Sequence, residues 1–246
     1  MIKIIGDYHI HTKFSDGKSD ADTVIAAAKK TGLKEFALCD HSYRSWFVGM
    51  TDDKLEKSKN ALSCRHDEQC RALQSIEGNI LNFDGEIDVP PDAYKRLDML
   101  SVGFHRFVTR GDGRDRKQFI LRNGWTKNLP DELIEKNTKA YIKAIEKYPV
   151  DVICHIGHRA KVYGKRLFEC AKSNGCHIEL NEKHIETLEP MLQIAIESGV
   201  KFILGSDAHR AENIGRFDRV INAIEKYNVP LDRIVGIDCQ LTVRKK

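Results

Sequence analysis

The feature that most constrains this chain is an alternation that runs from end to end, in which short apolar runs are separated by longer helix-like segments. Strands are expected over residues 3–8, 35–39, 73–77, 99–103, 150–154, 177–180, 201–204 and 233–235. Helices are expected over 19–31, 52–73, 130–147, 163–173, 187–198 and 211–227. A helix between two strands makes a crossover, so the strands it joins lie parallel. Seven or eight such units in 246 residues favour closure into an α/β barrel over an open sheet. With no internal repeat, linker or low-complexity stretch, the barrel is read as a single domain over residues 1–246.

Local signals agree with this reading. Asp20 is placed to cap the first helix, Pro130 suits a first helical turn, and Gly32, Gly175 and Gly199 follow helix ends as left-handed caps. The stretch 79–92 breaks the alternation and reads as a β-hairpin turning at Asp84-Gly85. Neither GxGxxG nor GxxxxGK[ST] follows the first strand, which removes the best support for a nucleotide-binding fold.

Composition narrows the setting. The chain is 41% hydrophobic and 31% charged, and no stretch approaches the ~18 apolar residues of a membrane span. Its N-terminus lacks the layout of a signal peptide, so a cytoplasmic protein that does not engage a membrane is expected. The seven cysteines are scattered and form no CxxC pair, which argues against a disulfide framework. Cys39, Cys154 and Cys176 fall in or beside apolar runs and read as small hydrophobes. The net charge of +4 is mild; the basic stretch 106–122 reads first as a solvated loop, and second as an attractor of anionic substrate.

Chemistry concentrates where the strands end. The first delivers His9 and His11, the second Asp40 and His41, and the third Glu77. His105 follows the fourth, His155 the fifth, and Asp207 and His209 the seventh. In a parallel barrel those ends share one rim, the face on which active sites are built. Imidazole and carboxylate together suit zinc, manganese and iron, and this many donors exceed one four-coordinate site, so two or three divalent ions are expected. Strand periodicity of two turns His9 and His11 to one side and Tyr8 and Ile10 to the other. A lone HxH, or one His at a strand end, is usually a hydrogen-bonded structural residue; recurrence on six strands is what argues for metal. His66, His177 and His184 are read as structural, and His155 is favoured over His158 as the fifth strand's donor.

These residues resemble the PHP (polymerase and histidinol phosphatase) superfamily of metal-dependent phosphoesterases. The likeness rests on "DYHIHTKFSDG", "CDH" at 39–41, "IEGNILNFDGEID" from Ile76, His105, His155, "IELN" at 178–181 and "GSDAH" at 205–209. It implies a distorted (β/α)7 barrel with a trinuclear site. His9, His11, Glu77 and Asp207 would share one ion, Glu77 would bridge to a second held by His105 and His155, and Asp16, His41 and His209 would hold a third. The implied reaction is hydrolysis of a small, histidinol-phosphate-like monoester by a metal-bridging hydroxide. Asp16, Asp40 or a histidine would protonate the leaving group, and Arg159, then Arg106 and Arg210, would clamp the phosphate. The alternatives are a nuclease or phosphodiesterase acting on nucleotides or single-stranded DNA, and a non-catalytic metal-binding scaffold. Trp46, Phe47, Phe107 and Trp125 lie in the loops that would choose the alcohol half.

Overall fold

The computed structural model describes residues 2–63, 70–109, 114–125 and 128–243, with the backbone alone for 114–116. Eight strands run parallel, each paired with its neighbour in sequence: β1 (Gly6–Ile10), β2 (Glu35–His41), β3 (Arg71–Asn79), β4 (Met99–Gly103), β5 (Val152–Ile153), β6 (His177–Asn181), β7 (Phe202–Gly205) and β8 (Ile234–Val235). The sheet curls into a nearly closed barrel. At its upper end Ile10 of β1 bridges in parallel to Ala208, just past β7. At its lower end the Ile5 and Gly6 amides donate to the Gly236 carbonyl at 2.8 and 3.2 Å, just past β8.

Helices α1 (Ala21–Lys30), α2 (Asp52–Ser63), α3 (Pro91–Tyr94), α4 (Arg114–Trp125), α5 (Asp131–Lys147), α6 (Gly164–Ser173), α7 (Ile185–Ser198) and α8 (Asp218–Tyr227) accompany the strands. The Asp20 carboxylate accepts from the Thr23 amide at 2.9 Å and starts α1, while Gly32 and Gly199 leave their helices in the left-handed region.

Four of the differences from the sequence expectation matter here. Helix α2 ends at Ser63 and β3 already begins at Arg71, because Leu73 must pair beside Ala37 in the sheet. His66, expected within that helix, and Cys64 lie outside the described residues. The expected helix over 211–227 splits into a 3-10 turn, Ala211–Asn213, and α8, since Gly215 is left-handed and gives its amide to Asp7. The basic stretch read as a loop contains α4, whose Phe119 and Ile120 are buried in the core. The hairpin reduces to one antiparallel bridge, Ile80 to Ile87, around a left-handed Gly85.

Two apolar layers result. Outside the barrel, side chains such as Phe36 and Leu38 pack against Val24 and Ile25 of α1. Inside, Tyr8, Ala37, Leu73, Met99, Val152, Ile203 and Val235 form a plug across the barrel floor. Tyr8 therefore faces the interior, contrary to a strict period of two. The cause is a β-bulge: the β1–β2 register runs Asp7 to Phe36 but Ile10 to Leu38. One extra residue lets both Tyr8 and His9 point inward while Ile10 packs outward, a distortion common beside active sites. Phe36→Ala, which empties a fully buried site between sheet and α1, is expected to cost about 3–5 kcal/mol in urea unfolding.

Candidate metal centre

Above the plug the barrel interior becomes polar, and Glu77 of β3 sits at its centre, buried. Five imidazoles approach its carboxylate. His41 Nδ1 lies 2.9 Å away, His155 Nε2 2.6 Å, His105 Nε2 3.2 Å, His9 Nε2 3.4 Å and His11 Nε2 3.7 Å. His9 and His11 turn their Nε2 atoms to within 3.1 Å of each other. Asp207 stands 3.5 Å from His11 Nε2. On the outer side Asp16 lies 3.1 Å from His209 Nε2 and 3.6 Å from His41 Nε2. The nine expected donors thus converge on one rim from six strand ends.

Local backbone explains how they reach it. His155 and Asp207 both adopt left-handed conformations, φ 29° and 54°, which fold the chain back over the barrel mouth. Such conformations are strained for residues with a Cβ and collect at functional sites. Gly205 has to be glycine for a different reason: a Cβ there would collide with the Glu179 carboxylate and lie 2.9 Å from His9 Cβ.

The electrostatics suit cations. Glu77 Oε2, His41 Nδ1 and His155 Nδ1 are buried without a hydrogen-bond partner, although the first two face each other. Buried polar atoms are normally paired, and an unpaired imidazole nitrogen of His41 facing an unpaired Glu77 oxygen is a donor pair that a divalent cation satisfies. Burial works against charge on His41, but Glu77 and Asp16 outweigh it and raise this imidazole to about 10. His11, buried and set beside His41 and His209, falls to about 3. Burial likewise opposes the charge on Asp16, yet hydrogen bonds from His209 and His41 hold its carboxyl well below the usual range.

Not every expected residue faces this cluster. Asp40 is fully buried and turned away, accepting from the Thr12 amide at 2.7 Å, the Thr12 hydroxyl at 2.7 Å and the Ser15 hydroxyl at 2.5 Å. It fastens the loop that carries Asp16, and with its oxygens engaged it does not meet a leaving group. Arg210 is exposed and leans toward Glu212, 3.8 Å away. Arg106 and Arg159 do line the cavity that opens beside the cluster.

The structure adds residues that the strand-end pattern does not single out. Glu179 of β6 accepts from, or shares a proton with, His9 Nδ1 at 2.6 Å and takes the His155 amide at 2.7 Å. This fixes His9 so that Nε2 faces Glu77, the role outer carboxylates play around metal-binding histidines. Its signal was an acid inside an apolar strand, costly unless partnered. Asn79 does the same for His105, 2.6 Å from its Nδ1. Lys183 brings a cation 3.0 Å from Asp207 and 2.8 Å from His209. His184, read as structural, borders the cluster 4.0 Å from Asp207, with its ring centroid 4.0 Å from that of His158. His158 is held at about 3 by burial and by the neighbouring His184 and His155. His177 lies at the start of β6, its Nδ1 3.2 Å from the Asp151 carbonyl, as a structural residue.

Fold and rim define a class first: an α/β barrel whose strand ends are furnished for divalent cations. The PHP domain profile matches residues 7–240, and the chain belongs to that family. Among curated relatives it is 32% identical to a probable phosphatase of Caldanaerobacter subterraneus, over 96% of this chain and 88% of that one. It is 28% identical to a probable phosphatase of Shewanella piezotolerans, over 96% and 90%. Among solved structures, its fold is similar to that of histidinol phosphate phosphatase from Lactococcus lactis, complexed with zinc, L-histidinol and phosphate. The TM-score there is 0.62 at 18% identity, covering 90% and 91% of the two chains. Among the described residues no helix is long and apolar enough to cross a membrane. Gly205→Ala is expected to push Glu179 and His9 out of register and lower the metal content per chain, read by elemental analysis, with the circular dichroism spectrum retained.

Proposed function

We propose that this PHP-family hydrolase releases inorganic phosphate from a small phosphate monoester, using two or three divalent ions of zinc, manganese or iron. The observation that carries the reading is the convergence of five imidazoles on buried Glu77, with Asp207 and the Asp16 group flanking them. His9, His11, Asp207 and Glu77 would hold one ion. Glu77, His105 and His155 would hold a second, and Asp16, His41 and His209 a third. Ions so held lower the pKa of bound water toward neutrality and draw charge from phosphoryl oxygens.

The chain's other residues prepare that chemistry. Glu179 and Asn79 orient His9 and His105, and Asp40 holds the loop of Asp16 in place. Kept ionised between two imidazoles, Asp16 suits a cation better than it suits proton donation. Lys183 from one side, and Arg106 and Arg159 from the cavity wall, supply positive charge for a phosphate dianion. The cavity of about 650 Å³ matches a small alcohol half and favours a monoester over a nucleic acid strand. Because a similar fold was solved with L-histidinol and phosphate, histidinol phosphate is the reference ester against which other alcohol halves are compared.

Purified protein loaded with manganese or zinc should hydrolyse a generic aryl phosphate. EDTA, His9→Ala and Asp207→Asn should each lower the rate at least ~100-fold, the scale on which removal of an activated water is felt. Hydrolysis that survived all three would remove the metal-dependent reading. Asp40→Ala is expected to lower kcat by roughly tenfold by releasing the Asp16 loop, while hydrogen exchange at residues 12–17 rises.

A further inference from the structure

The cavity beside the metal cluster has two unlike halves. Its inner edge is formed by Asp16, His41 and His105; its outer wall is aromatic, built from Trp46, Phe47 and Phe107. These three stand 37%, 101% and 51% exposed, and they gather at one place on the surface. Trp46 and Phe107 lie 6.3 Å apart by ring centroid at 35°, and Phe47 stands edge-on to Trp46 at 6.3 Å. Phe47 is held in the left-handed region, φ 63°, with its ring in solvent. A fold that leaves large aromatic surface uncovered at the mouth of a reaction site keeps it for a ligand.

The wall is also fastened. The loops after β2 and β4 pair through an antiparallel bridge from Ser45 to Val108. The Trp46 amide donates to the Phe107 carbonyl at 2.8 Å, and the Thr109 amide to the Arg44 carbonyl at 2.7 Å. Buried Asp88 anchors this pairing, accepting from the Ser42 hydroxyl at 2.6 Å, the Arg44 amide at 3.2 Å and the Asn79 side chain at 2.7 Å. Asn79 in turn holds His105. The aromatic wall is thus set in advance relative to the metal cluster, and binding does not spend energy on ordering it.

Charge narrows the choice further. Arg106 sits over the Phe107 ring, its guanidinium carbon 4.5 Å from the centroid, and Arg159 lines the same cavity. Among the described residues Asp16 is the one carboxylate lining it, and it is committed to His209 and His41. Beside the two arginines the surface facing an alcohol half is mainly aromatic, and a cationic amino alcohol would find no free anion among the described residues that line it. From this we infer that the preferred substrate is a phosphate monoester whose alcohol half carries a planar aromatic or heteroaromatic ring without positive charge, stacked on Trp46 and Phe107. The inference rests on the monoesterase reading above and gives it a substrate class.

Three alkyl monoesters separate the possibilities without changing the phosphoryl chemistry: benzyl phosphate, glycerol 3-phosphate and O-phosphoethanolamine. Two stacked rings at ~0.5–1.5 kcal/mol each predict a kcat/KM for benzyl phosphate about tenfold or more above the other two, expressed in KM. In a Trp46→Ala/Phe107→Ala double variant that ratio should fall toward one. A ratio near one in the wild-type enzyme, or a ratio that persists in the double variant, would overturn the inference. Binding of benzylphosphonate by calorimetry gives a second readout that needs no turnover. If no ester is hydrolysed, the monoesterase reading fails. Affinity for benzylphosphonate that weakens about tenfold in the double variant would still support the aromatic site, and no binding to the wild type would sink it.

Discussion

Everything at the top of this barrel depends on a carboxylate where a carboxylate is costly. Glu77 is buried in a central strand, and an isolated buried charge of that kind would be expelled or neutralised. Glu77 is tolerated because imidazoles from five other points of the chain close around it. That arrangement has no local version. His9 and Asp207 flank the same point from 198 residues apart, the span from position 9 to position 207, and they meet only once β1 has closed against β7. Barrel closure and the cluster are therefore one event, and whatever loosens the closure exposes Glu77 to an unpaired burial.

The lower half of the barrel secures the upper. The bulge in β1 spends Tyr8 on the floor and His9 on the cluster, although the two are consecutive. Tyr8 then donates to Glu35 at 3.2 Å, and Glu35 is paired with Arg71, which also donates to the Leu241 carbonyl at 2.5 Å. This network ties the starts of β1, β2 and β3 to the C-terminal segment. With the floor plugged by side chains and fastened by an ion pair between buried Glu35 and half-exposed Arg71, the cluster opens at the face where the loops lie.

Much of this was legible in the order of residues, for a physical reason. A parallel barrel needs apolar strands, so His, Asp and Glu recurring where those strands end stand out against their surroundings. That contrast revealed His9, His11, His41, Glu77, His105, His155, Asp207 and His209. The parts that stayed hidden are those decided by contacts between distant segments. The bulge at Tyr8–His9 follows from a register with β2. The break before α8 follows from Gly215 giving its amide to Asp7, more than two hundred residues away. Asp40 looks like a rim carboxylate in "CDH", and only the placement of Thr12 and Ser15 shows that it turns outward. Glu179 is legible in principle: an acid in "HIELN" needs a buried partner, and the histidine-rich interior supplies it.

The rim also shows how one residue can join two functions that are usually described apart. Asn79 presents its side-chain oxygen to His105 and its side-chain amide to Asp88, and Asp88 carries the paired loops that hold Trp46 and Phe107. The orientation of a donor imidazole and the position of the aromatic wall are thus set by the same side chain. Asp88, Asn79 and His105 are therefore linked in one chain of hydrogen bonds that ends beside Glu77. In a low-dielectric network of this kind, losing one partner leaves another buried group unsatisfied. In the proposed complex the aromatic wall and the imidazoles around Glu77 would thus be held in one frame, with Asn79 common to both.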